Sequence, residues 1–157
     1  MPDIVGPTHR YIGASSGCWA AYGKLLEREA TDARYMRFHQ MTVDAYCAQH
    51  PGTPSPQAIR SVAVHLVGLH LQLECDLLAE RLYAARQRIS SLGKEGRLKL
   101  VWLEPPASFG EITVLDVLEA ENPVEYGERV RSWAEAVWEA WSDHHDTVRR
   151  WATICLR

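Results

Sequence analysis

Residues 55–73 read SPQAIRSVAVHLVGLHLQL, and the fold is worked outward from them. Ser55 before Pro56 is a helix start, because a Ser side chain can cap free amides and Pro tolerates the first helical position. From Val62 to Leu73 the stretch is apolar nearly all round. A helix of that kind must be enclosed by others, so it is the expected centre of the domain. It is too short and too often interrupted to span a bilayer. The helical pattern runs on to about Ser90, with a candidate break near Glu74–Asp76.

Upstream, HPGTPSP at 50–56 is a hard stop for a helix reading ARYMRFHQMTVDAYCAQ at 33–49, capped by Asp32. Before it, a helix is expected from Gly17 to Ala30 behind the candidate N-cap Ser16. Residues 1–16, with Gly6, Pro7 and Gly13, read as a lead-in. Downstream, Gly93 and Gly96 end the pattern, and LKLVWLEPP at 98–106 could pair with residues 111–113 in one short hairpin. Thr113 is a cap for a short helix through Ala120. Asn122, Pro123 and Glu125 start a long one.

The apolar stripe of that last helix passes through Val130, Trp133, Val137, Trp141, Val148 and Trp151 to Cys155. It keeps its phase across 141–148, so one continuous helix is expected, with a break at Ser142-Asp143 as the alternative. The fold class is all-α: an antiparallel bundle of four main helices plus one short helix, in a single domain over 1–157. A chain of this length can bury roughly 70% of its unfolded surface, so a metal or disulfide framework is not required for folding.

Charge is nearly balanced, 17 Lys and Arg against 20 Asp and Glu. No broad basic field draws in nucleic acid or an anionic membrane. Cys18, Cys47, Cys75 and Cys155 are dispersed without a Cys-x-x-Cys pair, and no apolar leader precedes them. Free thiols and a cytoplasmic location are expected.

The histidines divide by geometry. His39 and His50 share one line of the 33–49 helix but lie about 16 Å apart along it, so one metal cannot take both. His65 and His70 are five residues apart, roughly 140° around the axis. The adjacent His144 and His145 border the Trp-rich stripe about 100° apart, so at most one is a metal ligand. Asp44 is turned about 140° from His39 and is expected on another surface or orienting a neighbouring helix.

If the helices alternate in direction, His39, His65 and His144 stand at one height, roughly 14–16 Å from the end containing the 50–56 turn. Three imidazoles with an open fourth position would suit a divalent metal, zinc or nickel, that acidifies bound water. His145 is the alternative ligand from the last helix. Such a bundle resembles metal-binding proteins of the DinB/YfiT type, although it lacks their i, i+4 histidine pair.

A second constellation gathers Cys18 in the first turn of its helix, His9 in the lead-in and His50 at the end of the 33–49 helix. Helix amides favour a thiolate there, and a Cys–His pair suits nucleophilic chemistry or a second metal site. The bland reading of every one of these residues is structural, as buried histidines and a small buried thiol.

The segments GPTHRYIGASSGCWAAYGKLLERE, HQMTVDAYCAQHPG, QAIRSVAVHLVGLHLQLE, LEPP, TVLDVLEA and WAEAVWEAWSDHHDTVRRW cover nearly the whole chain. In them the protein resembles an uncharacterised bacterial family known only as a domain of unknown function. The resemblance implies that His9, Cys18, His39, Asp44, Tyr46, His50, His65, His144 and His145 sit in family motifs. It also implies a Cys-x-x-Cys just ahead of the GPTH element, where this sequence has MPDIV instead. No reaction comes with it.

Three functions therefore stand as expectations. One is a His-lined metal site with a small-molecule ligand. Another is a non-catalytic interaction module using the Trp-rich helix or a homodimer face. The third is a thiol enzyme built on Cys18.

Overall fold

The computed structural model describes residues 5–75, 77 and 79–157. Its helices are α1 (Ser16–Thr31), α2 (Ala33–Met36), α3 (His39–Gln49), α4 (Pro56–Leu73), α5 (Ala79–Lys94), α6 (Val114–Leu118), α7 (Pro123–Ala140) and α8 (His145–Cys155), with a 3-10 turn at Ser142–His144. The all-α class is correct, and the described residues include no strand. The expected hairpin between 98–106 and 111–113 is thus not formed. Pro105 and Pro106 bring no amide donors to a ladder, and the segment instead lies along the helices with Leu103 buried.

Four caps match their sequence signals. Asp32 accepts from the Arg34 amide, Ser55 from Ala58, and Asn122 from Val124 and Glu125, while Thr113 and Asp116 form a capping box. The first cap is one residue earlier than expected: Ser15 Oγ, not Ser16, accepts from the Cys18 amide at 3.2 Å. This makes Cys18 the third residue of α1.

Two expected helices are divided. The 33–49 helix is interrupted at Arg37–Phe38, where the Phe38 amide bonds back only three residues, to Tyr35. The long helix from Pro56 ends at Leu73, and α5 turns back to pack on α4. Asp76, part of the expected break, lies outside the described residues.

The third division corrects the continuous helix expected at 123–155. The Trp141 amide bonds to the Trp138 carbonyl, and the His145 ring donates to the same oxygen at 2.9 Å. That imidazole occupies an acceptor that the next helical amide would have used. Ser and Asp in the following positions compete further with helical bonding. The break turns α8 onto α4 and α5.

The apolar segment of α4 occupies the centre, packed by α3, α5, α7 and α8. Leu66, Val67, Leu69 and Leu71 are fully buried, as are Trp133 and Trp141. Among the described residues no helix is long and apolar enough to cross a membrane.

Candidate functional site

The three histidines expected at one height have three separate partners. His39 Nδ1 meets Glu29 Oε2 at 2.7 Å, His65 Nδ1 meets Asp44 Oδ1 at 2.8 Å, and His144 Nε2 donates to the Glu104 carbonyl at 2.9 Å. No three His, Cys, Asp or Glu side chains among the described residues are grouped to hold a metal ion. Height along the bundle is only half of the geometry, because direction around each helix decides which side chains meet. His65 lies against the Asp44 face of α3, the face turned away from His39. His145 stacks on Trp138 with ring centroids 3.8 Å apart.

Glu29 and Asp44, both fully buried, organise two of these histidines. Glu29 also accepts from the Tyr126 hydroxyl at 2.7 Å. Asp44 also takes Arg86 of α5 and, at 2.8 Å, the Gln72 amide. Burial works against charge on His65. The neighbouring Cys47 sulfur and the Asp44 carboxylate outweigh it, and the imidazole is pushed up to about 9. A third carboxylate, Glu74, gathers Arg149, Trp138 and His70, and Arg149 above all holds it down at about 2.

The thiol constellation is assembled in part. Antiparallel α1 and α3 bring Cys18 Sγ to 3.2 Å from His50 Nε2. The other ring nitrogen, Nδ1, is 2.9 Å from the Tyr46 carbonyl, which can only accept. Nδ1 therefore carries the proton, and Nε2 of the neutral ring is free to accept from the thiol. The Tyr46 hydroxyl donates to the same sulfur at 3.6 Å, and Tyr46 stacks on Tyr22 at 3.8 Å. His9 does not join them. Its ring packs on Tyr11 and Trp19, with Nδ1 buried and unpartnered among the described residues.

Burial raises the Cys18 thiol above its ordinary value, offset in part by the Tyr46 hydroxyl. Burial also lowers His50, offset in part by the Tyr46 carbonyl. At neutral pH the pair is a thiol beside a neutral imidazole. The thiolate favoured by the helix amides alone is not the resting form, because desolvation opposes it.

Cys18 is 4% exposed, but His50 lines a cavity of about 520 Å³ where the lead-in crosses the α3–α4 turn. The crossing is close. A Cβ on Gly13 would lie 2.9 Å from Gly52 Cα, and Gly52 has φ +74°, a conformation that side chains with a Cβ rarely adopt. This cavity shares Arg10, Tyr11 and Thr53 with a second of about 310 Å³. The second shares Tyr11 and Gln57 with a third of about 200 Å³, which His65 lines. Through these shared residues the three lie in series as a groove from His50 to His65, and among the described residues no Asp or Glu lines them.

A model of a family of unknown function, DUF5946, matches residues 5–142. The chain belongs to that family. The match takes in Cys18, His50, His65 and the whole groove, and it ends at Ser142, where the last helix breaks. No match is found among curated proteins or among solved structures.

Sequence reasoning passed over Glu29, Arg86 and the groove. Glu29 and Arg86 look like solvent-facing charges in a helix, and only the packing of α1 on α3 and of α5 on α4 buries them. The groove is made by residues from the lead-in, the α3–α4 turn, α4 and α5, which no local pattern connects.

Proposed function

We propose that this protein carries out thiol chemistry on a small electrophile bound in the groove, with Cys18 as the nucleophile and His50 as its base. The observation that carries the reading is the 3.2 Å approach of Sγ to Nε2 in an imidazole whose other nitrogen is committed to a backbone carbonyl. That arrangement is what general-base activation of a thiol requires.

In the step itself, the thiol proton passes to His50 Nε2 as Sγ bonds to an electrophilic carbon. The displaced electron pair goes to a carbonyl oxygen or a leaving group, and the imidazolium returns its proton there. The substrate reaches the thiol past the lead-in. Gly13 N to His50 O, at 3.2 Å, and Ser16 Oγ to Gly6 O, at 2.8 Å, are the hydrogen bonds tying the described lead-in to the helices beneath. Ile12 and Ala14 of the same segment are buried, so opening it also exposes their apolar surface.

The test is iodoacetamide labelling of the native chain, with each cysteine followed by peptide mass spectrometry. Cys155, 5% exposed against 4% for Cys18, is the internal control, since no imidazole is among its hydrogen-bond partners. Cys18 is expected to label at least about tenfold faster, a lower bound set under the roughly hundredfold or more of general-base assistance, and His50→Gln to abolish the advantage. Equal rates for the two cysteines would overturn the proposal.

A further inference from the structure

The groove continues from His50 along α4 to its smallest cavity, between α4 and α5. Arg60, Ser61, His65, Ser90, Gln57 and Tyr11 meet there around a cavity of about 200 Å³. Every polar side chain in that set can donate a hydrogen bond. None is a carboxylate, on a chain with more acids than bases.

The groups beneath the cavity are rich in bases as well. His65 and Arg86 share Asp44 as their one carboxylate, two basic side chains on a single acid. His65 is committed through Nδ1 to Asp44, so it supplies field rather than the principal contact. Arg60 and Arg10 form no ion pair among the described residues. A cavity rich in donors, with Arg60, unpaired among the described residues, in its lining and two basic side chains on one carboxylate beneath it, suits an anion with several acceptor oxygens.

We infer that this part of the groove is an oxyanion subsite, in which Arg60, Ser61, Ser90 and Tyr11 hold a carboxylate or phosphate group of the molecule that Cys18 attacks. The assignment of that molecule rests on the thiol reading; binding of the anion itself does not. His50 at one end of the groove and Arg60 at the other give the substrate a direction, with its charged end held and its electrophilic centre beside the thiol.

Binding is measured by calorimetry on the untagged full chain, with inorganic phosphate in one arm and succinate in the other. Saturable binding of either is expected in the millimolar range or tighter, weakened at least tenfold by Arg60→Met and measurably by the surface variant Ser90→Ala. Phosphate alone identifies a phosphorylated ligand, and succinate alone a carboxylate. Absence of saturable binding in both arms overturns the subsite, as does binding that neither variant changes while both stay folded by circular dichroism. Cys18→Ser separates the two proposals, because it must leave anion binding intact. Binding without fast Cys18 labelling keeps the subsite and removes the thiol chemistry, and the converse result does the reverse.

Discussion

Asp44 and His65 are 21 residues apart in sequence and 2.8 Å apart in the core, joined through Oδ1 and Nδ1. Because His65 is raised from 6.5 to about 9, it binds its proton more tightly folded than unfolded. Its contribution to stability is complete below pH 6.5 and lost as pH rises through about 9. That difference corresponds to something on the order of 3 kcal/mol. Urea unfolding of the wild type and His65→Gln should show a stability gap that narrows between pH 6 and pH 9.5. A constant gap would show that His65 does not titrate in this window.

Gly68 lies directly beneath this cluster. Gly→Ala in a helix ordinarily gains roughly 0.5–1 kcal/mol. Here the added Cβ would clash with Asp44 Oδ2 and stand 2.7 Å from an Arg86 nitrogen. Gly68→Ala should therefore lose about 2–4 kcal/mol through overpacking and displacement of a buried ion pair. Thermal unfolding decides the sign, and an unchanged or raised Tm would mean that the cluster relaxes freely.

The Glu29 site should show a graded series. Its carboxylate is fully buried and bridges Tyr126 and His39, whose own side chain is 44% exposed. Glu29→Ala leaves a buried hydroxyl without its acceptor and should cost about 3 kcal/mol. Tyr126→Phe should cost about 1–2 kcal/mol and His39→Ala less. Chemical denaturation of the three variants tests the order, and a His39 variant weaker than Glu29→Ala would reverse it.

Cys18 labelling should follow a particular pH profile. The thiol is raised and His50 lowered by burial, so the pair rests neutral. Reaction with iodoacetamide should fall off as His50 gains its proton below pH 6.5, and should rise again above pH 9 as free thiolate forms. A preformed thiolate–imidazolium pair would instead label at full rate far into the acid range, and that result would exclude the general-base mechanism.

Much of the fold was legible along the chain. Asp32, Ser55, Thr113 and Asn122 announce their helices because a cap is a local interaction between a side chain and amides two or three residues on. The apolar circumference of residues 62–73 announces the central helix in the same way. The Cys18–His50 pair was legible too, since both residues end their helices and an antiparallel hairpin brings such ends together.

What the sequence by itself determined was the helical class, most caps, the central position of α4 and the candidate thiol pair. Tertiary structure alone decided which histidines face which carboxylates. It sent His39 to Glu29, His65 to Asp44 and His144 to a loop carbonyl, giving separate partners to the three histidines expected at one height. It also broke the last helix, where the His145 ring takes the Trp138 carbonyl, and it assembled a groove with no acid among its described lining residues from segments distant in sequence. The physical reason is common to all three. Helical periodicity specifies a residue's height and facing on its own helix, but partners are set by how neighbouring helices rotate and pack, and that free energy belongs to the whole core.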